Sequence, residues 1–148
     1  MIKATDTLLK DHRLIRKTME GFKLDNPRFL DVAATAHRIV VAHAWFEDVI
    51  FLPALKFERR LEQLSREITV EHQDIAALFT LLRHIENPGR ESLDFYARQI
   101  CSILETHFRK EEDALFPLSE KVLDAEGLNE LGEEMRLRQK EVRGLGLP

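Results

Sequence analysis

Cysteine is almost missing from these 148 residues. The single Cys101 cannot close an intrachain disulfide, which excludes a disulfide-stapled secreted scaffold and makes a reducing cytoplasm the expected setting. Cys101 itself reads as a small core filler. Glycine and proline are scarce, at six and five, and no phosphate-cradling glycine loop can be assembled from them. No apolar run approaches the roughly 20 residues that span a bilayer, and the opening Met1-Ile-Lys-Ala-Thr-Asp6 has no apolar signal core. A soluble, unexported chain with no membrane partner is therefore expected. Basic residues are not in excess either: the formal charge is -4. Short basic groups such as Arg13/Arg16/Lys17 and Arg136/Arg138/Lys140 read as solvated helix faces, so no nucleic-acid partner is expected.

What the chain does have is helical periodicity with few interruptions. Asp6 can cap a first helix with Leu8, Leu9, Ile15, Met19 and Phe22 on one stripe, and His12 falls on that stripe. Gly21 and Asp25-Asn26-Pro27 mark a turn. A second helix runs from about Pro27 to the Pro53 region and turns Phe29, Val32, Ala33, Ala36, Val40, His43, Glu47 and Ile50 inward. After a looser stretch, a third helix from about Leu61 to Glu86 carries Leu64, Ile68, His72, Ile75, Phe79 and Leu82. Asn87-Pro88-Gly89 breaks it, and a fourth from about Glu91 to Phe116 carries Phe95, Ile100, Ile103, His107, Glu111 and Ala114. A last amphipathic segment, about Leu128 to Val142, uses Leu128, Leu131, Met135 and Leu137. No strand pattern is present. The expectation is one all-α domain over residues 1–148, an up-down-up-down antiparallel four-helix bundle with a short C-terminal helix.

One motif occurs twice. His43-Ala-Trp-Phe-Glu47 leads through an apolar run to Pro53, and His107-Phe-Arg-Lys-Glu111 leads through another to Pro117, with Glu four and Pro ten residues after each His. Residues four apart stack on one helix face, so each copy offers an imidazole and a carboxylate as a pair, whereas Asp48 and Glu112, one position on, are turned about 100° away and are expected to matter far less. A lone His on an apolar face is more often a satisfied core residue than a ligand. Four of them, one per helix at His12, His43, His72 and His107, reverse that expectation, because a rise of about 1.5 Å per residue brings them to a common level. Glu47 and Glu111 would then be buried face to face with no Lys or Arg on the inward stripes, although Lys110 lies on the flank of the fourth helix. Two facing carboxylates need a cation between them. A metal pair is the economical solution, with imidazole nitrogens on each ion and the carboxylates bridging. Such a set accepts iron, manganese or zinc. The Glu-x-x-His pattern of ferritin-like di-metal bundles and the His-Glu-x-x-His of zinc proteases are both absent. His37 and His84 fall off the stripe as surface or inter-helix residues, and Trp45 and Tyr96 read as packing groups.

The ordered set Asp11-His12, His43-x-x-x-Glu47, Glu71-His72 and His107-x-x-x-Glu111-Glu-x-x-Leu-Phe-Pro117 resembles the hemerythrin-like, or HHE cation-binding, domains over most of the chain. The resemblance implies an oxo- or hydroxo-bridged non-haem di-iron centre, with His12, His43, His72 and His107 as terminal ligands and Glu47 and Glu111 as bridges. It also implies that a small diatomic or peroxide ligand (dioxygen, peroxide or nitric oxide) is bound or reduced there. Two rival functions accompany it: iron handling for damaged iron-sulfur clusters, and an oxygen or redox sensor module acting through a separate protein partner. One departure is informative. Oxygen-carrying hemerythrins have a second histidine four residues along the third helix, and here that position is Ala76.

Overall fold

The computed structural model describes residues 2–144, and it is helical nearly throughout, with no strand among them. Six α-helices follow one another: α1 (Ala4–Met19), α2 (Phe29–Phe46), α3 (Glu62–His84), α4 (Arg90–Lys110), α5 (Phe116–Val122) and α6 (Ala125–Gly144). Cross-helix pairs give the direction of each neighbour. Asp11 meets His43 while Phe22 meets Phe29; Asp48 meets His72 while His37 meets Arg83; Lys110 meets Glu67 and Glu71. The ring closes from α1 to α4 and α5, with Arg16 on Glu105 of α4 and Thr5 on Glu120 of α5. His72 meets His107 one turn away from the Lys110–Glu67 contact, so between each two neighbours one number rises as the other falls, and α1, α2, α3 and α4 run antiparallel in turn. No helix of the described residues is long and apolar enough to cross a membrane.

Both copies of the motif end their helices in the same unusual way. At Glu47–Phe51 and again at Glu111–Leu115 the α-helix widens into a single π turn. Proline six residues after each Glu supplies the reason. Pro53 and Pro117 lack the N–H that Val49 and Asp113 would bond in an α-helix, and each ring would press on that carbonyl. A wider turn relieves the clash.

The core is divided in two. One apolar cluster gathers Ile15, Phe22, Phe29, Ala36, Val40, Ile75, Phe79, Ile100, Leu104 and Phe108, and the other Leu8, Phe46, Ile50, Phe51, Leu55, Ile68, Leu115, Phe116 and Met135. On each long helix the boundary falls at the expected polar position: His12 between Leu8 and Ile15, His43 between Val40 and Phe46, His72 between Ile68 and Ile75, and Glu111 between Phe108 and Leu115. The candidate site is thus a polar layer sandwiched between two greasy halves.

Several expectations need correction. α1 begins at Ala4 with no side-chain cap, and Asp6 lies in its first turn, where a negative charge still suits the helix dipole. Phe95 is exposed, because twelve residues before His107 is 120° round the helix; Ala97, Leu104 and Phe108 fill the face instead. Cys101, next to the inward Ile100, is exposed and fills no core. The C-terminal helix is longer than expected. It starts after Asp124, whose carboxylate accepts from Gly127 N, and packs Leu128 and Met135 inward while Leu137 stays exposed.

α6 can lie close because of Gly132, where a Cβ would overlap the Ile2 carbonyl oxygen and sit 3.0 Å from Ala4 N. Glycine in a helix interior usually costs about 1 kcal/mol relative to alanine. Here the sign reverses: Gly132→Ala is expected to destabilise the fold by about 1–3 kcal/mol as the N-terminal strap is displaced. Thermal denaturation checks this, and an unchanged or raised midpoint would contradict the packing.

Candidate metal centre

The six expected residues all arrive in the polar layer, and all are buried. His12 Nε2 lies 2.8 Å from Glu111 Oε2 and 3.2 Å from His43 Nε2; His43 Nε2 lies 3.1 Å from Glu47 Oε1 and 3.9 Å from Glu111 Oε2. On the other side, His72 Nε2 is 3.0 Å from Glu47 Oε2 and 3.7 Å from Glu111 Oε1, and His107 Nε2 is 2.5 Å from Glu111 Oε1. Each carboxylate therefore sends one oxygen to the His12/His43 pair and the other to the His72/His107 pair. Two groups that could hold a metal ion result, His12/His43/Glu47/Glu111 and Glu47/His72/His107/Glu111, with one donor atom per residue and all donors within 4.8 Å of one another.

The donor atoms fit cations better than they fit each other. Both oxygens of Glu47, both of Glu111, and Nε2 of His72 and His107 are buried without a directional hydrogen bond, despite the short contacts above. Buried polar atoms are ordinarily satisfied, and leaving several carboxylate oxygens unsatisfied is costly. Lone pairs that converge on a shared point, and do not lie along N–H directions, are the arrangement a bound ion needs.

With protons as the only counter-charge, the site holds them tightly. Burial alone would lower the His72 pKa, but Asp48, Glu111 and Glu47 outweigh it and push it up to about 11. Burial likewise opposes the charged form of His43, and Glu47, Asp11 and Glu111 reverse it, raising its pKa well above the usual imidazole range. Glu111 is the counterpart: burial would raise its pKa, yet contacts from His107, His12, His43 and His72 hold it well below the ordinary carboxylate value. Metal uptake must displace such protons.

Behind the imidazoles stands a second layer that the sequence reading missed. His43 Nδ1 donates to Asp11 at 3.2 Å, His72 Nδ1 to Asp48 at 2.9 Å and His12 Nδ1 to Glu112 at 2.8 Å, while Glu71 stands 3.6 Å from His107 Nδ1. The carboxylates run in a circle, each helix placing one behind the histidine of the next, and three of the four make the hydrogen bond. A carboxylate can only accept, so it fixes the proton on Nδ1 and turns the Nε2 lone pair inward. The signal was present as adjacency: all four acids sit directly beside a site residue, at Asp11-His12, Glu47-Asp48, Glu71-His72 and Glu111-Glu112. Asp48 and Glu112 are thus not the inert neighbours expected of them. Arg16 binds Glu112 at 2.6 Å and also Glu105, Lys110 binds Glu71 at 2.8 Å, and Thr69 donates to Asp48 at 3.1 Å.

Aromatic packing completes the enclosure. Phe108 stacks on the His12 ring at a centroid distance of 4.0 Å, and Phe116 packs beside it at 5.5 Å. His37 and His84 stay out of the site as expected: His37 stacks on Phe79 and bonds Arg83, and His84 is exposed. Trp45 is partly exposed, and Tyr96 packs against the core.

Comparison with known families agrees with this geometry. The family model for the hemerythrin HHE cation binding domain matches residues 63–145, more than half of the chain. That span holds His72, His107 and Glu111, and the fold brings the other three site residues to them from α1 and α2. Neither the curated proteins nor the solved structures contain a match.

Proposed function

Since the chain belongs to the hemerythrin HHE cation-binding family and gathers buried His and Glu groups that could hold metal, we propose that it holds a pair of iron ions and handles a small oxidant there. In this reading His12 and His43 are terminal ligands of one iron, His72 and His107 of the other, and Glu47 and Glu111 bridge the two. The observation that carries it is the division of each carboxylate between the two imidazole pairs. Bound there, two irons would supply two electrons and open coordination positions for dioxygen, peroxide or nitric oxide.

The protein's own residues set the conditions for that chemistry. Ile15, Val40, Ile75 and Phe108 on one side of the layer and Leu8, Phe46, Ile68 and Leu115 on the other exclude bulk water. Asp11, Asp48 and Glu112 hold the His43, His72 and His12 rings in the ligating orientation. Two histidines fall to each metal position, and Ala76 adds no third, so both irons would keep exchangeable positions. An exchangeable pair favours reaction over reversible storage.

Elemental analysis with an absorption spectrum, on protein expressed with supplementary iron, tests the metal. Two irons per chain are expected, and zinc or manganese in their place would overturn the reading. Protein reduced without oxygen should then oxidise within minutes in air and should not return to its reduced spectrum under argon. A spectrum that cycles reversibly with oxygen and argon would instead identify a carrier or sensor.

A further inference from the structure

We infer that the two metal positions are unequal: the one between His72 and His107 is the more weakly held, and Lys110 is the positioning residue that makes it so by drawing Glu71 away from the His107 ring. The inference rests on the metal-binding reading above and concerns how firmly each ligand is locked.

Three of the four imidazoles are locked from behind at 2.8–3.2 Å, by Asp11, Asp48 and Glu112, whereas Glu71 stands 3.6 Å from His107 Nδ1, beyond hydrogen-bond reach. What Glu71 contacts instead is Lys110 Nζ, at 2.8 Å from Oε1 and 3.1 Å from Oε2. The comparison with Arg16 shows that a cation need not open the contact. Arg16 Nη1 and His12 Nδ1 share the same oxygen of Glu112, at 2.6 and 2.8 Å, so there the cation and the imidazole are held together. Lys110 also reaches Glu67 at 3.4 Å, which anchors it on the α3 surface and away from the His107 ring. An open groove of about 440 Å³, lined by Glu67, Val70, Glu71 and Lys110 among others, brings solvent to this corner. A ligand imidazole without its rear hydrogen bond is a poorer and less oriented donor, and losses of this kind typically amount to 10–100-fold in metal affinity.

Stepwise zinc titration of the metal-stripped full chain, against a chromophoric chelator, reads both positions without any redox chemistry. The wild type should bind two zinc ions in unequal steps. Lys110→Met should tighten the weaker step by about tenfold, by freeing Glu71 to reach His107, and leave the tighter step nearly unchanged. Lys110→Arg, which keeps the charge on Glu71, should retain most of the inequality. Lys110→Met combined with Glu71→Gln should lose the gain, since the effect runs through that carboxylate. Equal steps in the wild type, an unchanged weaker step in Lys110→Met, or a gain that survives in the double variant would each overturn the inference. A wild type that takes up no zinc would instead remove the metal-binding reading beneath it.

Discussion

Glu111→Ala is expected to reduce bound metal from two ions per chain to fewer than one, the largest loss of any single substitution in the protein. Its Oε2 approaches His12 and His43 and its Oε1 approaches His107 and His72, so among the described residues it alone approaches all four imidazoles. Glu47→Ala, which touches His43 and His72, should come close behind. Asp48→Ala and Glu112→Ala should form a middle class. They leave the ligand set intact but release His72 and His12 from behind, a loss of about 10–100-fold in affinity that leaves metal bound at high protein concentration. Asp113→Ala, on the exposed side of the same π turn, should change nothing. Elemental analysis after gel filtration checks the order. Metal loss in Glu111→Ala no greater than in Asp113→Ala would remove the bridging role.

That graded order marks where the sequence could be read and where it could not. The inward residues at His12, His43, Glu47, His72, His107 and Glu111 follow from helical spacing and from a motif that occurs twice, and all six reach the site. The second layer does not follow, for a geometric reason. On an ideal helix Asp48 and Glu112 turn about 100° away from the Glu before them. Both stand in π turns, at Glu47–Phe51 and Glu111–Leu115, and each meets the histidine of the next helix, Asp48 at 2.9 Å from His72 Nδ1 and Glu112 at 2.8 Å from His12 Nδ1. Only the prolines at 53 and 117 announce those turns, and a proline near a helix end ordinarily signals a stop. Phe108 was hidden differently. It follows His107 directly, so a stripe drawn through His107 and Glu111 passes it by, although it packs on His12 of the neighbouring helix. Asp11 and Glu71 are legible only once the pairing of the helices is known, because each serves a histidine on the helix that follows its own.

The stabilisation that metal confers should grow as pH rises from about 6.5 toward 9, and the cause lies in the metal-free protein. His72 keeps its proton up to about pH 11 in the fold but only to about 6.5 when unfolded, so its contribution is complete below 6.5 and declines as pH climbs toward 11. His43 shifts in the same direction. Each such proton should make the metal-free fold less stable as pH rises above about 6.5. Glu111 has the opposite sense: its pKa is depressed in the fold, so its contribution is present above about 4.5 and is lost only as pH falls below that value. It therefore stays constant through the window in question. In the loaded protein the cations take over the role of those protons, and deprotonated imidazole is the form that binds them, so the alkaline loss should vanish and metal affinity should rise with pH. Melting curves with and without a chelator, at intervals from pH 6.5 to 9, should show two lines that diverge. Metal uptake near neutrality should also release protons, visible with a pH indicator in weak buffer. Parallel lines and no proton release would mean that the buried carboxylates are not balanced by His43 and His72, and that the charge of the polar layer is met in some other way.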